Sequence, residues 1–307
     1  MGATISIVIP TQRRPAGLAL AMRSALAQTG VDPATLELIV ADNDQQPSAR
    51  LAVESAAKIA PFPVRYVHVP EAGVANVRNG ALKVAQGDLI AFLDDDEEAP
   101  AGWLAALVDA MTRYEADVVF GPVQARAPET VTAHRAYLER FFSREGPAMA
   151  GLMPGYFGCG NSLLKRASLP DPVSPFSTLR NQIGGEDDML FGHMQAGGAR
   201  FAWAPDAVVW EDPVPDRLTL RYTLARAFAY GQGPSAHCAA ASPPDWKGVA
   251  IWMLIGLAQA AVYGAVAGVK WLIRAPDRAQ ALDRAARGLG KTFWFGPFKI
   301  NFYGRSA

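Results

Sequence analysis

The sequence predicts an α/β fold in which a mostly parallel sheet is covered by helices on both faces, followed by a C-terminal hydrophobic helical segment. Up to residue 120, short apolar runs bounded by polar residues alternate with stretches of helical periodicity, which is typical of repeated strand–helix–strand units. Near the C-terminus, residues 248–269 carry no charge. The first observation predicts the sheet with its covering helices, and the second predicts the hydrophobic segment.

The first half of the chain contains five predicted strands, with a helix after each of the first four. Each strand is a run of mainly apolar residues, and each helix repeats apolar residues at helical spacing. The third helix stops at Gln86-Gly87, a pair typical of a helix C-cap. The predicted strands are residues 5–9, 36–41, 64–69, 89–93 and 117–120, and the predicted helices are residues 16–28, 48–59, 74–85 and 103–114.

The second half of the chain is less regular. Residues 155–160 are rich in glycine and residues 170–177 contain three prolines, so both segments are predicted loops. Gly184-Gly185 precedes the next helix. The remaining predicted elements are a helix over residues 186–196, a pair of short strands over residues 201–210 and a helix over residues 218–230 that ends at Gly231.

The composition excludes several classes of protein. Lys plus Arg equals Asp plus Glu at 29 each, so the chain lacks the basic excess of a nucleic-acid-binding protein and we expect no nucleic acid partner. Two cysteines, Cys159 and Cys238, cannot form a disulfide framework and indicate a reducing compartment. The first apolar run, residues 5–9, is too short for a signal peptide.

An acidic run follows the fourth predicted strand. Asp94, Asp95 and Asp96 come directly after its apolar residues, and Glu97 and Glu98 follow. The C-terminal ends of strands are where open α/β sheets bind ligands. Five carboxylates so close together repel one another unless a cation lies among them. The run therefore predicts a divalent metal with the phosphates of a ligand, and the alternative is a solvated acidic turn.

Two further acidic positions stand at the ends of predicted elements. Asp42 ends the second strand, where it could accept a hydrogen bond from the base or ribose of a nucleotide; the alternative is an Asx turn. Glu186-Asp187-Asp188 opens a helix. One of these carboxylates could be a general base, and the alternative is simple stabilisation by the helix macrodipole.

Five segments, in order over about residues 4–230, resemble the family 2 glycosyltransferases. They are SIVIPT (6–11), LIVADND (38–44), ANVRNG (75–80), GDLIAFLDDD (87–96) and GED (185–187). The resemblance implies a GT-A fold, which is Rossmann-like, with a nucleoside-diphosphate sugar bound across the edge of the sheet. GLGK (288–291) and YG (303–304) more narrowly resemble the succinoglycan type of exopolysaccharide glucosyltransferase.

The resemblance also implies which residues meet the nucleotide sugar. Pro10, Thr11 and Asp42 would contact the uridine of a UDP-sugar, with Asp42 accepting from the uracil ring. Arg78 would lie against the base or the diphosphate. The other nucleotide-sugar-binding residues implied are Asp94 and Asp95 near the ribose and the metal, and Gly158, Gly160 and Asn161 in a loop beneath the sugar.

A metal and a general base complete the implied site. Asp96, with Asp94, would bind Mn²⁺ or Mg²⁺ bridging the diphosphate. Many family members carry a metal-binding His after a later strand, where this chain has Glu211, so Glu211 is the candidate third ligand. Asp187 would deprotonate the acceptor hydroxyl, and the configuration at the sugar's C1 would be inverted. Glu186 would help to orient the acceptor hydroxyl.

The uncharged segment predicts membrane attachment. As a helix its twenty-two residues would be about 33 Å long, enough for a hydrocarbon core of about 30 Å. Gly256, Ala260, Gly264 and Gly268 recur every fourth residue and suit close helix packing. A buried core helix and a re-entrant or interfacial helix are the alternatives. Positively charged residues next to a membrane segment tend to stay on the cytoplasmic side. We therefore expect the tail on that side, since its cations are Arg274, Arg278, Arg284, Arg287, Lys291, Lys299 and Arg305.

Together these inferences predict an inverting, metal-dependent glycosyltransferase at the inner, cytoplasmic face of the cell membrane. Residues 1–230 would form the catalytic domain, with a nucleotide-sugar half (about 1–125) and an acceptor half (about 126–230), and residues 231–307 a membrane-associated tail. The acceptor would be a glycan or a lipid-linked oligosaccharide. The alternatives are a polyprenyl-phosphate sugar synthase and a non-catalytic nucleotide-binding assembly subunit.

Overall fold

The computed structural model describes residues 3–181 and 184–300, which form two compact units. The first unit comprises the chain up to Gln124 together with Ser143–Asp212. The second comprises Ala125–Phe142 and the described residues from Pro213 to Ile300. The division into a catalytic domain and a tail at residue 230 stays a prediction. Tyr303-Gly304 and Arg305 lie outside the described residues.

The elements follow the predicted alternation through the first half of the chain. The helices are α1 (Pro15–Leu26), α2 (Arg50–Ala57), α3 (Val74–Val84), α4 (Trp103–Arg113), α5 (Arg135–Phe142), α6 (Glu186–Ala196), α7 (Leu220–Ala240), α8 (Trp246–Leu272) and α9 (Arg278–Thr292). The strands are β1 (Ile5–Thr11), β2 (Leu36–Asp42), β3 (Val64–His68), β4 (Leu89–Phe92), β5 (Glu97–Glu98), β6 (Val118–Phe120), β7 (Val123–Ala125), β8 (Gly151–Met153), β9 (Ser162–Lys165), β10 (Phe201–Trp203) and β11 (Val209–Glu211).

An eight-stranded sheet with the order β3-β2-β1-β4-β9-β6-β10-β8 forms the first unit's centre. The pairs among β1, β2, β3 and β4 are parallel, as is β6 with β10. Strand β9 runs antiparallel to both β4 and β6, and β8 runs antiparallel to β10. The predicted α/β class is confirmed, and the sheet is mixed beyond β4.

The core lies on both faces of this sheet, because successive side chains of a strand point to opposite faces. Ile7 belongs to a cluster that includes Leu18 of α1 and Leu107 of α4. Val8 belongs to a second cluster that includes Leu82 of α3 and Phe191 of α6. Burial on both faces explains why these strands are continuous apolar runs.

The reversed direction of β9 determines where the glycine-rich loop lies. Ser162, the first residue of β9, pairs with Phe92, the last residue of β4, and with Phe120, the last residue of β6. The loop that precedes Ser162 therefore ends at the sheet edge where the acidic run after Phe92 begins. A short three-stranded sheet, β5-β11-β7, stands beside it.

Helices α5, α7, α8 and α9 belong to the second unit. The predicted end of a helix at Gly231 is wrong, since α7 continues to Ala240. A Cβ at Gly231 would lie 2.2 Å from the carbonyl oxygen of Arg287 in α9, so this glycine permits helix contact and does not end the helix. Helix α8 is long and apolar enough to cross a membrane, with a mean hydropathy of 1.9 over its most apolar window.

Candidate active site

Three sequence motifs meet at the C-terminal edge of β4. They are the acidic run after β4, the glycine-rich loop before β9 and the first turn of α6. Strand register brings the loop to the acidic run, and side-chain contacts bring α6 to both. The structure thus brings together segments that lie far apart in the chain.

The loop residues Gly158, Cys159 and Gly160 lie close to two carboxylates. The Cys159 N–H donates to Asp187 Oδ2 at 3.2 Å, and a Cβ at Gly158 would lie 3.3 Å from the same oxygen. A Cβ at Gly160 would lie only 2.4 Å from Asp94 Oδ2. Asp94 and Asp187 therefore both approach one three-residue segment, and only glycine at position 160 allows the approach of Asp94.

Arg78 of α3 is buried between the same acidic groups. Its Nη1 donates to Glu186 Oε1 at 2.5 Å, and its Nη2 lies 4.0 Å from Asp94 Oδ1. Burial on its own would lower the pKa of Arg78, but nearby acidic groups, including Asp94, Glu186 and Asp187, hold it above its ordinary value. Burial raises the pKa of Glu186, and the charge of Arg78 opposes this. Arg78 therefore joins the acidic run to the start of α6.

The other two aspartates of the triplet share a cation that the sequence analysis missed. Arg14 Nη1 lies 3.0 Å from Asp95 Oδ1 and 2.5 Å from Asp96 Oδ2. Asp95 Oδ2 also accepts from Thr11 Oγ1 at 2.7 Å. Burial raises the pKa of Asp95 to about 6. Arg14 follows β1, the strand beside β4, so its position five residues past the end of the first predicted strand was the available signal.

Asp42 is fully buried at the end of β2. Its Oδ1 accepts from the Asp44 N–H at 3.0 Å, and its Oδ2 accepts from the Ala49 N–H and Tyr66 Oη, each at 2.9 Å. These bonds shape the loop between β2 and α2, as the Asx-turn alternative implies. Its contact with a base stays a prediction. Of the other predicted uridine contacts, Thr11 is buried and pairs in register with Asp42, and Pro10 is half-buried.

The side chain of Asn161 is committed to the fold. Its Oδ1 accepts from Trp103 Nε1 at 2.7 Å, and its Nδ2 donates to the carbonyl oxygens of Pro122 and Ala207, both at 2.8 Å. Asn161 is also 0% exposed with a φ of +48°, a left-handed conformation that asparagine tolerates better than most residues. Asn161 would therefore contribute to the predicted loop beneath the sugar through its backbone and not through its side chain.

Arg144 is a second residue that the sequence analysis missed. Its guanidinium donates to the carbonyl oxygens of Gly121 (3.0 Å), Gly158 (2.9 Å), Gly160 (2.6 Å) and Asn161 (3.1 Å). Burial lowers its pKa, and nearby acids, among them Glu97, act in the opposite direction. No local pattern marks Arg144, because its partners are backbone groups of a distant loop.

Glu211 reaches the acidic run through strand pairing. It pairs with Glu97 between β11 and β5, and the Asp212 N–H donates to the carbonyl oxygen of Asp96 at 3.2 Å. Glu97 is buried, and its Oε2 accepts from the Asp94 N–H at 2.9 Å. Burial, together with the charge of Asp94, raises the pKa of Glu97 well above its ordinary value. Glu211, the predicted third metal ligand, therefore lies near Asp94 and Asp96, the first two predicted ligands.

The donor set fits a divalent ion that shares its coordination with phosphate. Within residues 3–181 and 184–300, no group of three Asp, Glu, His or Cys side chains is arranged to hold an ion. Mg²⁺ commonly takes only one or two carboxylates and completes its shell with waters and substrate phosphates. Asp94 and Asp96 keep side-chain exposures of 39% and 20%, so their carboxylates remain accessible to such an ion.

Comparison with known proteins shows the family of this chain. The model of the family described as glycosyl transferase family 2 matches residues 6–171. Succinoglycan biosynthesis protein ExoM of Rhizobium meliloti (strain 1021) is 38% identical over 230 residues, which are 74% of this chain and 73% of that protein.

A second relative is the UDP-Glc:alpha-D-GlcNAc-diphosphoundecaprenol beta-1,3-glucosyltransferase WfgD of Escherichia coli. It is 31% identical over 119 residues, which are 38% of this chain and 44% of that protein. Among solved structures, S. aureus TarS is similar with a TM-score of 0.52 and 14% identity, covering 80% of this chain and 41% of that one. The likeness to TarS supports the GT-A-like fold alone.

Proposed function

The chain belongs to glycosyl transferase family 2, a glycosyltransferase family, and on this premise we propose that it is an inverting enzyme that uses a UDP-sugar. The proposed acceptor is a hydroxyl group of a lipid-linked or polysaccharide glycan. Asp94 and Asp187 support this proposal most strongly, because both approach the segment Gly158–Gly160. A donor held at Asp94 and an acceptor activated at Asp187 would meet beside that segment.

The part of the site that binds the nucleotide-sugar donor is proposed to lie along the C-terminal ends of β1, β2 and β4. Thr11 and the loop shaped by Asp42 would receive the uridine, and the acidic run would face the diphosphate. A divalent ion bound there would neutralise the charge that develops on the leaving diphosphate. Asp96 and Asp94 would hold it, with Glu211 as the third protein ligand proposed.

The acceptor end is proposed to be the first turn of α6. Asp187 would take the proton of the attacking hydroxyl as that oxygen bonds to the sugar carbon from the face opposite the diphosphate, which inverts the configuration. The half-buried Asp187 is oriented by the Cys159 N–H. Glu186, bonded to Arg78, would position the turn and not take the proton itself.

The relatives suggest which substrates to test first. WfgD is named for UDP-Glc as donor and a sugar diphosphoundecaprenol as acceptor, and ExoM is named for succinoglycan biosynthesis. We therefore propose UDP-glucose as the first donor and a polyprenyl-diphosphate-linked sugar as the first acceptor. Such an acceptor is membrane-bound, and the apolar helix α8 supports work at a membrane, for which we propose the inner face.

A panel of nucleotide sugars tests this proposal. The full-length protein would be assayed with UDP-, GDP- and dTDP-sugars, with Mn²⁺, with Mg²⁺ and with a chelator, and the product's anomeric configuration would be read by NMR. We expect metal-dependent transfer from a UDP-sugar with inversion. Retention of configuration, or turnover unaffected by the chelator, would overturn the mechanism. Binding of UDP with neither transfer nor hydrolysis would favour the non-catalytic alternative.

A further inference from the structure

From the packing of α9 along α8, we propose that the second unit binds one leaflet of an anionic phospholipid membrane without crossing it. The proposal rests on the membrane association proposed above and specifies its form. Helix α8 would lie in the plane of the interface, with its exposed apolar face among the acyl chains. The cations beside it would contact lipid phosphates.

Helix α9 packs against the middle of α8. A Cβ at Gly256 would lie 2.6 Å from the carbonyl oxygen of Gly288, so the two backbones are in close contact. Gln259 stands at the centre of α8. Its Nε2 donates to the carbonyl oxygen of Arg284 at 2.8 Å, and its Oε1 accepts from Lys291 Nζ at 2.9 Å. A membrane that surrounded the middle of α8 would therefore surround α9 as well.

Helix α9 is unsuited to the hydrocarbon core. Its fifteen residues extend about 22 Å, short of the roughly 30 Å of a hydrocarbon core. It carries Arg284 and Lys291 at the level of Gln259, and each charge at the bilayer centre disfavours insertion roughly a hundredfold. Arg287 pairs with Asp283 of the same helix at 2.7 Å, whereas Arg284 and Lys291 donate to uncharged groups of α8. For α8 to cross the membrane, it would therefore have to separate from α9.

The other side of α8 is apolar and open. Only 11% of its most apolar window is buried. Among the residues that the structure describes, nothing lies within 4 Å of where a Cβ would stand at Gly264 or Gly268, so two of the four regularly spaced small residues are unused in packing there. The exposed apolar side chains of α8 include Ile251, Leu254, Ile255, Leu257, Val262 and Val269. This open apolar face is therefore available to contact acyl chains.

Charge indicates an anionic surface as the occupant. Although the chain is balanced overall, residues 125–142 and 213–302 hold fourteen Lys and Arg against six Asp and Glu. Two arginines lie over aromatic rings at 5.0 Å, Arg278 over Trp271 and Arg284 over Tyr263. Aromatic rings and cations together are enriched at the headgroup level of membranes.

Labelling both ends of α8 distinguishes the two arrangements. In full-length protein with Cys238→Ser, Lys247→Cys and Ile273→Cys place one thiol at each end of the helix, and Leu51→Cys reports the side of the first unit. Sealed membrane vesicles of both orientations would be treated with an impermeant maleimide. We expect all three sites to react from the same side. Reaction of the two α8 ends from opposite sides would overturn the one-leaflet proposal and leave membrane association intact.

Vesicle binding tests the lipid chemistry and membrane association separately. We expect the full-length protein to bind phosphatidylglycerol-containing vesicles at least tenfold better than pure phosphatidylcholine vesicles. Arg284→Gln should weaken that binding about fivefold, and Leu254→Glu should weaken it more. Leu51→Glu, at an equally exposed leucine of the first unit, should leave it unchanged. Equal binding to both vesicles would overturn the anionic partner, and no binding to either would overturn membrane association itself.

Discussion

Arg78 and Glu186 are 108 positions apart in the chain, yet a 2.5 Å hydrogen bond joins their side chains. Both are almost completely buried, with side-chain exposures of 7% and 5%. The bond connects α3, which follows β3, to the first turn of α6, and Asp94 stands 4.0 Å from the same guanidinium. The proposed donor and acceptor ends of the site are therefore held by one charged network.

We expect Arg78→Met to lower the free energy of unfolding by about 3–5 kcal/mol, because it leaves Glu186 buried without its partner. Urea unfolding measures the change. Arg200→Met is the matched control, since it removes a 2.8 Å pair with Glu115 whose side chains are 45% and 80% exposed. That pair should contribute no more than about 1 kcal/mol. Equal losses of unfolding free energy in the two variants would show that the buried Arg78–Glu186 pair stabilises the fold no more than the exposed Arg200–Glu115 pair does.

Asp187→Asn should lower kcat by about 10²–10⁴-fold, the usual contribution of a general base, while UDP-sugar affinity changes little. Asparagine retains an oxygen to accept from Cys159 but cannot take a proton. Steady-state kinetics with a hydroxyl acceptor measure the effect. Asp188→Asn is the control, because Asp188 is exposed and points about 100° away around the helix. A mild effect at Asp187 would favour a phosphate acceptor, which needs no strong base.

Asp96→Ala should abolish Mn²⁺-dependent turnover and weaken UDP binding while the fold survives, because Asp96 lies beyond the end of β4 and outside the core. Turnover, UDP titration and thermal unfolding measure the three quantities. Asp109→Ala, which removes an exposed carboxylate of α4, should change none of them. Wild-type turnover of Asp96→Ala in the same metal would make the acidic run a solvated turn.

Asp42→Ala should raise the Kd for UDP by about ten- to a hundredfold relative to that for a diphosphate without the base. It should also lower stability, because three donors lose their acceptor. Tyr66→Phe removes one of those donors and separates the effects. It should cost about 0.5–1.5 kcal/mol of stability with UDP affinity unchanged. Equal weakening of both ligands by Asp42→Ala would place base recognition elsewhere.

Arg144→Gln should increase the alkylation rate of Cys159 at least about tenfold, since charged hydrogen bonds worth about 1.5–3 kcal/mol each hold its loop closed. Burial raises the pKa of the Cys159 thiol to about 12, so the closed loop keeps it unreactive at neutral pH. Mass spectrometry after maleimide treatment measures the rate.

Arg166→Gln is the control for this effect. Arg166 also donates to a backbone carbonyl, that of Gly87 at 2.8 Å, but it does not contact the Cys159 loop through any described hydrogen bond. Its substitution should leave Cys159 unreactive. Unchanged reactivity in Arg144→Gln would mean that Arg144 does not hold the loop.

The strands and helices of the first half were predictable because their signals are local. The apolar run of β4 and the Gly-Gly start of α6 each specify an element without distant partners. The pairing of Glu97 with Glu211 was not predictable, because it joins β5 to β11 across more than a hundred positions. Strand β9 was not among the predicted elements, so its antiparallel pairing with β4 and β6 was missed as well. Gly231 misled because a glycine that ends a helix and one that admits a neighbouring helix look alike in sequence.

In the candidate site, too, residues with a local sequence signal were predictable and residues without one were not. Asp94, Asp96, Glu186 and Asp187 stand out because acidic residues cluster at element ends. Arg144 could not be found, since its partners are carbonyl oxygens that carry no side-chain identity. Asn161 was predicted as part of the loop beneath the sugar, and the structure shows its side chain bonding Trp103 and backbone carbonyls. Sequence thus located the charged groups, and only the structure revealed how they are held.

Arg14 gives Asp95 and Asp96 a counter-ion that belongs to the chain itself. Repulsion within the acidic run is therefore reduced before any ion arrives, and we expect the first unit to fold without a divalent cation. Folding and the proposed binding of a metal would then be separate events. A newly synthesised molecule would fold at any magnesium or manganese concentration, and the supply of the proposed nucleotide sugar would decide when the ion joins it.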